Sequence, residues 1–259
     1  MERITVVKIG GNVIDDPAAL EKFQADFASM PGDKILVHGG GKIATGIARS
    51  LGIETVMVGG RRVTDRPMLD VVTMVYAGLI NKNMVAALQV LGCNAIGMSG
   101  ADGAAIVSHR RTGGDVDYGY VGDVDSVNAE GVKKLADAGF TPVFCAITYD
   151  GKNGTLLNTN ADTVASQVAV GMARLTPSEL IFCFEKDGVL ADPADDSSVI
   201  RRIDSVSYQE LKADGTVSGG MLPKLENAFG ALRSGVERVI ITSPAYIADH
   251  NAPHTEIVL

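Results

Sequence analysis

Short runs of β-branched and aliphatic residues alternate along the chain with segments whose apolar residues recur at helical spacing. The runs at 4–9 and 34–38 predict buried strands, and the apolar residues after each run recur every three or four positions, as in a helix. The same reading predicts strands at 94–99, 142–148, 179–184, 239–242 and 255–258, helices at 17–27, 128–138, 163–173 and 219–232, and a hairpin within 104–126. This alternation is typical of an α/β protein.

Residues 68–80 form the most apolar long segment, and Pro67 suits the first turn of a helix there. A helix that is apolar on nearly every face is buried, either within the core or against a second subunit. We therefore expect a homodimer formed through the N-terminal half. A membrane-spanning helix needs about 20 apolar residues, so this segment predicts no membrane association.

Composition narrows the range of partners. The chain has 259 residues, 46% of them hydrophobic, 30 glycines and a formal net charge of −8. This charge argues against nucleic acid, because a polyphosphate backbone requires a basic face. Cys93, Cys145 and Cys183 are far apart within apolar runs, which indicates buried thiols in a reducing compartment. The start of the sequence shows no signal-peptide pattern, so we expect a cytoplasmic protein.

Three consecutive glycines, Gly39 to Gly41, separate the second predicted strand from a helix. Glycine lets the backbone approach an anion closely and direct N–H groups at it, together with the positive end of the helix dipole. The stretch is no Walker A loop, although Gly39, Gly41 and Ala44 fit a relaxed dinucleotide-binding pattern with Glu54 as the ribose acid. This motif alone therefore leaves three interpretations open: a dinucleotide-binding oxidoreductase, an anion site, or a turn without a ligand.

Polar residues cluster at other predicted element ends. Lys8 ends the first strand beside Gly10 and Gly11, where ligands bind in open parallel sheets. Three polar residues at alternate positions, 158, 160 and 162, precede one helix, which exceeds what a single helix cap needs. Lys224 lies in the first turn of another helix, where a cation interacts unfavourably with the helix dipole. This position is favourable only if an anion binds there.

Five segments together resemble a known family. They are Lys8-Ile9-Gly10-Gly11, His38-Gly39-Gly40-Gly41, Gly60-Arg61-Arg62-Val63-Thr64, Asn158-Thr159-Asn160-Ala161-Asp162 and Gly219-Gly220-Met221-Leu222-Pro223-Lys224. Their order and spacing resemble the amino acid kinase family, and specifically its acetylglutamate kinase branch. The resemblance implies a three-layer αβα sandwich on a mostly parallel central sheet. It also implies that residues 1–174 bind the acyl amino acid and form the dimer, and that residues 175–259 bind ATP.

The resemblance implies ATP-dependent phosphorylation of the side-chain carboxylate of N-acetyl-L-glutamate, the second step of arginine biosynthesis. The implied catalytic residues are Lys8, Lys224 and Asp162; those implied to bind the acyl amino acid are Gly40, Gly41, Arg62, Asn158 and Asn160; those implied for phosphate or ATP are Gly10, Gly11, Glu185, Gly188, Gly219 and Gly220. Asp162 would hold the two lysines in position. Mg²⁺ would arrive on the nucleotide phosphates, so no metal site built by the protein is expected.

The sequence departs from the branch at several positions. Arg61 replaces a hydrophobic residue, Lys42 follows the glycine turn, and Glu185 lies in a turn that is usually rich in aspartate. The two added cations near the expected acyl site favour an alternative substrate, N-succinyl-L-glutamate, whose acyl chain ends in a carboxylate. A non-catalytic sensor on the same fold is a further alternative. Only three residues precede the first strand, whereas arginine-inhibited relatives carry an extra helix, so we expect little inhibition by arginine.

Overall fold

The computed structural model describes residues 3–113 and 115–259. The chain start at Met1 and Glu2, and Gly114 in the middle of the predicted hairpin, lie outside the described residues. The strands are β1 Ile4–Ile9, β2 Asp33–His38, β3 Met57–Val58, β4 Arg61–Arg62, β5 Ala95–Met98, β6 Ile106–Arg110, β7 Gly122–Val127, β8 Thr141–Cys145, β9 Ile147–Asp150, β10 Leu156–Asn158, β11 Ser178–Cys183, β12 Arg202–Ile203, β13 Arg238–Thr242 and β14 His254–Ile257.

Helices connect most of these strands. They are α1 Gly11–Ile14, α2 Pro17–Ser29, α3 Gly41–Ser50, α4 Arg66–Thr73, α5 Asn81–Val90, α6 Ala129–Asp137, α7 Ala161–Ala173, α8 Ser205–Ala213, α9 Met221–Arg233 and α10 Ala245–Ala248. A π-helical segment, Met74–Ile80, joins α4 to α5, and a short 3₁₀ turn spans Asp102–Ala104. Asn128 caps α6 by accepting a hydrogen bond from the Gly131 amide, which confirms the predicted start of this helix.

A central eight-stranded sheet organises the described part of the chain in the order β12-β14-β13-β11-β1-β2-β8-β5. The pairs are parallel except β13 with β14. Strands from residues 178–257 lie on one side of β1, and strands from residues 33–145 lie on the other. The carboxyl ends of β1, β2 and β11 therefore meet at one edge, where ligands bind in such sheets.

Apolar side chains cover both faces of this sheet. Consecutive strand residues point to opposite faces, so Val6 packs in one cluster with α7 and α9 residues, and Val7 packs in another with α2 and α4 residues. Both residues are fully buried. Helices on the two faces make the three-layer αβα sandwich, which confirms the predicted fold class.

A second sheet lies beside the first, with strand order β10-β9-β6-β7. The prediction of one strand at 142–148 was wrong, because the chain leaves the central sheet after Cys145 and enters the second sheet at Ile147. An unbroken apolar run cannot reveal this change of partner, since both strands are buried. The predicted hairpin within 104–126 is confirmed by the antiparallel pairing of β6 with β7.

The apolar helix is longer than predicted. It continues beyond Ile80 through Val90, so the whole helix spans Arg66–Val90. That length and composition are sufficient to cross a membrane, but part of the helix is buried inside the protein. Met68, Val72 and Met84 pack in the core between the helix and the central sheet, as in the core helix of a folded domain.

Gly119 offers a test of how the second sheet is joined to the loop that follows β4. Gly119 has φ +71°, and a Cβ there would lie 2.2 Å from the carbonyl oxygen of Thr64. Gly119→Ala therefore incurs a left-handed backbone cost of roughly 1–2 kcal/mol and a backbone collision in addition. Gly215→Ala is the matched control, because Gly215 has φ +82° but open space around it. We expect urea unfolding to show a larger loss of stability for Gly119→Ala; equal losses would contradict this account.

Candidate active site

A cavity of about 240 Å³ lies at the carboxyl ends of β1 and β2. Its lining consists of Lys8, Gly11, Gly39, Gly40, Gly41, Met57, Gly60, Arg61, Arg62, Tyr76, Val121, Ala146, Asn158, Thr159, Asn160 and Ala161. These residues come from both glycine turns, the loop around β4, the apolar helix and the segment before α7. The fold thus brings together residues that are far apart in the sequence.

Asp162 lies between two lysine ammonium groups at one end of this cavity. Its Oδ1 is 2.7 Å from Lys8 Nζ, and its Oδ2 is 3.0 Å from Lys224 Nζ. Burial opposes ionisation of Asp162, but the two cations outweigh it and hold the carboxyl pKa well below its usual range. The carboxylate is therefore ionised at neutral pH.

Lys224 is only 8% exposed although it lies in the first turn of α9. Its ammonium group lies 5.1 Å from the centre of the Phe182 ring and 5.6 Å from that of Phe184. Burial lowers the pKa of Lys224, and the nearby Asp162 partly offsets this effect. A cation held in apolar surroundings attracts an incoming anion more strongly than a solvated cation does.

The two glycine turns differ in how tightly they are packed. Gly40 has φ +147°, and a Cβ there would lie 2.0 Å from Ile80 Cδ1. Gly10 lies close to Phe184, where a Cβ would approach that side chain to 3.1 Å, whereas nothing lies within 4 Å of a Cβ on Gly11. The second turn is thus packed against the apolar helix, and the first leaves open space beside Lys8.

Arg62 lines the cavity but also supports the glycine turn. Its Nη2 donates to the Gly41 carbonyl at 2.9 Å and to Thr45 Oγ1 at 2.8 Å, and Nη1 donates to Thr55 Oγ1 at 3.2 Å. Tyr76 also interacts with Arg62, and burial raises the pKa of its hydroxyl. A carboxylate that binds Arg62 must therefore share a guanidinium group that already holds the Gly41 turn.

Asn158 and Asn160, in the segment before α7, have different structural roles. Asn158 Nδ2 donates to Thr64 Oγ1 at 2.9 Å, which joins this segment to the loop after β4. Asn160 Oδ1 accepts hydrogen bonds from the backbone N–H groups of Asp162 and Thr163, at 2.8 and 3.1 Å. Asn160 is thus the N-cap of α7, and this cap fixes the first turn that carries Asp162.

Arg61 and Lys42, the two cations expected to recognise the acyl group, lie in different places. Arg61 lines the cavity, where burial and the neighbouring Arg111 lower its pKa. Lys42 lies outside the cavity lining, and its Nζ contacts Asn12 Oδ1 and lies 3.7 Å from Asp15 Oδ2. Arg61 is therefore positioned to meet a ligand, whereas Lys42 links the two glycine turns.

Of the residues predicted for phosphate or ATP, Gly10 and Gly11 follow β1 beside Lys8, and the other four lie in the second half of the chain. Glu185 follows β11 and acts electrostatically on Lys224, and Gly220 is the N-cap of α9. Gly219 has φ +54° with open space around it. Gly188 instead packs within the fold, because a Cβ there would lie 2.5 Å from Thr255 Oγ1.

Sequence reasoning missed Tyr76, Met57 and Val121 as cavity residues. Tyr76 lies in a segment that reads only as a buried helix, and Val121 lies in the hairpin, so neither position carries a polar motif. In residues 3–113 and 115–259, no group of three or more His, Cys, Asp or Glu side chains is placed to hold a metal ion.

Comparison with known proteins identifies the family. The amino acid kinase family matches residues 3–243. The chain is 52% identical over 242 residues to an acetylglutamate kinase of Cytophaga hutchinsonii, covering 93% of this chain and 91% of that protein. It is 51% identical over 241 residues to one of Phocaeicola vulgatus, covering 93% of each.

Among solved structures, smu.665 from Streptococcus mutans UA159 superposes with a TM-score of 0.79 at 25% identity, covering 98% of each chain. These matches leave the dinucleotide-binding reading of Gly39 and Gly41 without support, since it explains neither Lys8 nor Lys224. The chain belongs to the amino acid kinase family.

Proposed function

We propose that this protein transfers the γ-phosphoryl group of ATP to the side-chain carboxylate of N-acetyl-L-glutamate, in the biosynthesis of arginine. The names of two relatives support this substrate, because both are acetylglutamate kinases at 52% and 51% sequence identity over 93% of this chain. The observation that carries the proposal is the Lys8–Asp162–Lys224 cluster at the end of the cavity.

The cluster suits phosphoryl transfer because this reaction needs positioning and charge compensation rather than covalent chemistry from the protein. Lys8 comes from the first strand, while Lys224 comes from α9 in the other half of the chain. When the transferring phosphoryl group lies between the two lysines, each ammonium group contacts one phosphoryl oxygen. Asp162 keeps the two cations together without a bound anion and stays ionised during the reaction.

The acceptor carboxylate would approach from the cavity side. The Gly40 and Gly41 turn, Arg62 and Asn158 surround this space and would bind the acyl glutamate. ATP would approach from the α9 side, where Gly219, Gly220 and Glu185 lie. Residues 1–174 would thus bind the acyl amino acid, and residues 175–259 would bind the nucleotide.

Mg²⁺ would accompany ATP. Both oxygens of Asp162 already contact ammonium groups, and the described residues offer no cluster of acidic or imidazole ligands. This donor set fits a metal carried mainly by the nucleotide phosphates and water, which is the coordination that Mg²⁺ prefers. When bound, the ion supplies positive charge to the phosphate oxygens.

The first prediction for the proposed reaction concerns the two lysines. Lys8→Ala and Lys224→Ala should each lower kcat by roughly 10²–10³, or about 2.7–4 kcal/mol, because the charge they meet grows in the transition state. KM for both substrates should change far less. Lys22→Ala is the matched control, since Lys22 is exposed on α2 and pairs with Asp26 at the surface. Unchanged kcat with weaker binding of both substrates would contradict the assignment, whereas a wild type that binds the substrates without turnover would favour the non-catalytic sensor.

The second candidate substrate is N-succinyl-L-glutamate, and Arg61 favours it. Arg61 lines the cavity, and its guanidinium group is partly desolvated there beside Arg111. An acetyl methyl gives such a cation no partner, whereas a succinyl carboxylate forms a charge-assisted hydrogen bond with it. Lys42 adds nothing to this argument, because it contacts Asn12 and Asp15 instead.

ADP release across N-acetyl-, N-succinyl- and unmodified L-glutamate tests both candidates. Release with an acyl glutamate and not with unmodified glutamate supports the proposed reaction, and release with none of the three overturns it. If Arg61 recognises the acyl chain, kcat/KM is higher for the succinyl substrate than for the acetyl substrate, and Arg61→Leu reverses this preference. Arg66→Leu is the control, because Arg66 is exposed and pairs with Asp70. A strong acetyl preference that Arg61→Leu leaves unchanged excludes the succinyl candidate.

The Arg66–Val90 helix supports the proposed homodimer. Met74, Leu79 and Val90 are 57%, 49% and 89% exposed on a helix whose other side lies in the core. We predict a dimer that Met74→Lys with Leu79→Lys disrupts, because two buried charges on each subunit would lose hydration at the interface. Sedimentation at micromolar concentration checks this, with Val206→Lys on α8 as the exposed control. A wild-type monomer would refute it.

The three free cysteines are buried in the described structure. Unpaired thiols are typical of a reducing compartment, which supports the proposed cytoplasmic location.

A further inference from the structure

His38 is a fully buried histidine that the reaction described above does not use. It ends β2 immediately before the glycine turn, and its ring lies between that turn and Asn81, the first residue of α5. Its Nδ1 is 2.9 Å from the Gly39 carbonyl oxygen, and its Nε2 is 3.0 Å from Asn81 Nδ2. Asn81 is 1% exposed. Both polar side chains are therefore held entirely by the protein.

The surroundings of Asn81 fix the orientation of its amide. Asn81 Nδ2 donates to the Val143 carbonyl at 2.9 Å, and Lys82 Nζ donates to Asn81 Oδ1 at 3.1 Å. A carbonyl can only accept and an ammonium group can only donate, so the amide cannot be turned over. Gly97 leaves room for this side chain, because a Cβ there would lie 2.0 Å from Asn81 Oδ1.

The orientation of the amide determines the tautomer of His38. One N–H of Asn81 Nδ2 faces Val143, so the other faces His38 Nε2, which must accept. The ring proton then resides on Nδ1 and is donated to the Gly39 carbonyl. Burial lowers the pKa of His38 to about 4, which is consistent with a neutral ring at physiological pH.

The hydrogen bond to Gly39 has a consequence for the next amide. The Gly39–Gly40 peptide is trans, so its C=O and N–H point in opposite directions. Because the carbonyl points at His38, the Gly40 N–H points away from the buried ring. Gly39, Gly40 and Gly41 all line the cavity. In the part of the chain that the structure describes, the Gly40 N–H donates to no protein acceptor.

We propose that Lys82, Asn81 and His38 form a hydrogen-bonded chain that holds the Gly39 carbonyl inward and thereby presents the Gly40 N–H to an anionic group of the substrate. His38 and Asn81 are positioning residues in this account, since they act through the glycine turn. The inference rests on the proposed function only for the identity of the anion, the carboxylate of an acyl glutamate.

The packing of the apolar helix supports this role. Asn81 directly follows the π-helical segment Met74–Ile80, and π-helical turns occur frequently at functional sites. Ile80, the last residue of that segment, packs against Gly40. The same turn of helix therefore contacts the glycine turn through Ile80 and supports it through Asn81 and His38.

Asn81→Asp tests the proposal with little change in shape. The substituted side chain has no N–H to donate, so a neutral His38 must place its proton on Nε2 and leave Nδ1 facing the Gly39 carbonyl as a second acceptor. We expect KM for the acyl glutamate to rise and kcat to fall, together about tenfold to a hundredfold in kcat/KM, while KM for ATP is unchanged. Asn94→Asp is the matched control, because Asn94 is exposed and also donates to a carbonyl, that of Gly139.

A second pair of variants guards against loss of folding. His38→Asn keeps an N–H near the Gly39 carbonyl, whereas His38→Leu removes it at similar volume. The asparagine variant should retain more activity toward the acyl glutamate than the leucine variant at equal thermal stability. Equal activities would overturn the proposal.

Nuclear magnetic resonance gives a readout that needs no turnover. In the wild type, the ¹⁵N shifts of His38 should report the Nδ1–H tautomer, and the Gly40 amide should shift when N-acetyl-L-glutamate or inorganic phosphate is added. An Nε2–H tautomer overturns the inference, as does a Gly40 amide that responds to neither probe. A wild-type protein that releases no ADP with any acyl glutamate overturns the proposed function instead, so the two failures are distinguishable.

Discussion

One carboxylate between two ammonium groups is the constraint on which the candidate active site depends. In the proposed reaction both lysines approach the same phosphoryl group; they would repel each other in this partly buried space, and Asp162 offsets the repulsion. A buried carboxylate is stable only when nearby cations neutralise its charge, because removing one of them leaves an uncompensated buried charge. The N-cap Asn160 and the first turn of α7 therefore have to hold the Asp162 carboxylate at 2.7 Å from one lysine ammonium group and 3.0 Å from the other.

The rest of the fold can be understood as support for that geometry. Lys8 is fixed by β1, which pairs with strands on both sides in the middle of the central sheet. Lys224 is fixed by α9, whose buried residues pack with α7 residues on one face of the same sheet. A shared sheet between the two halves keeps the lysines at a constant separation.

The sequence predicted the sheet edge more successfully than the roles of single residues. Strand and helix periodicity placed Lys8, the glycine turns and Asp162 at the ends of elements, because local spacing determines those positions. Arg62 and Asn160 turned out to bind protein groups as well, and Lys42 lies outside the cavity lining. Such contacts join residues distant in sequence, so spacing along the chain does not determine them. The split of 142–148 into two strands was unpredictable for the same reason.

The π-helical segment has a consequence for how the length of this helix can change. A π turn holds one residue more than an α turn, so deleting a single residue within Met74–Ile80 would leave a continuous helix with ordinary hydrogen bonding. The π turn absorbs this extra residue, so the deletion would leave Asn81 in nearly its present orientation relative to α4. Deleting one residue from α4 itself would instead rotate Asn81 by about 100° and turn its amide away from Val143 and His38. Homologous chains can thus lose the π turn and still keep the support of the glycine turn.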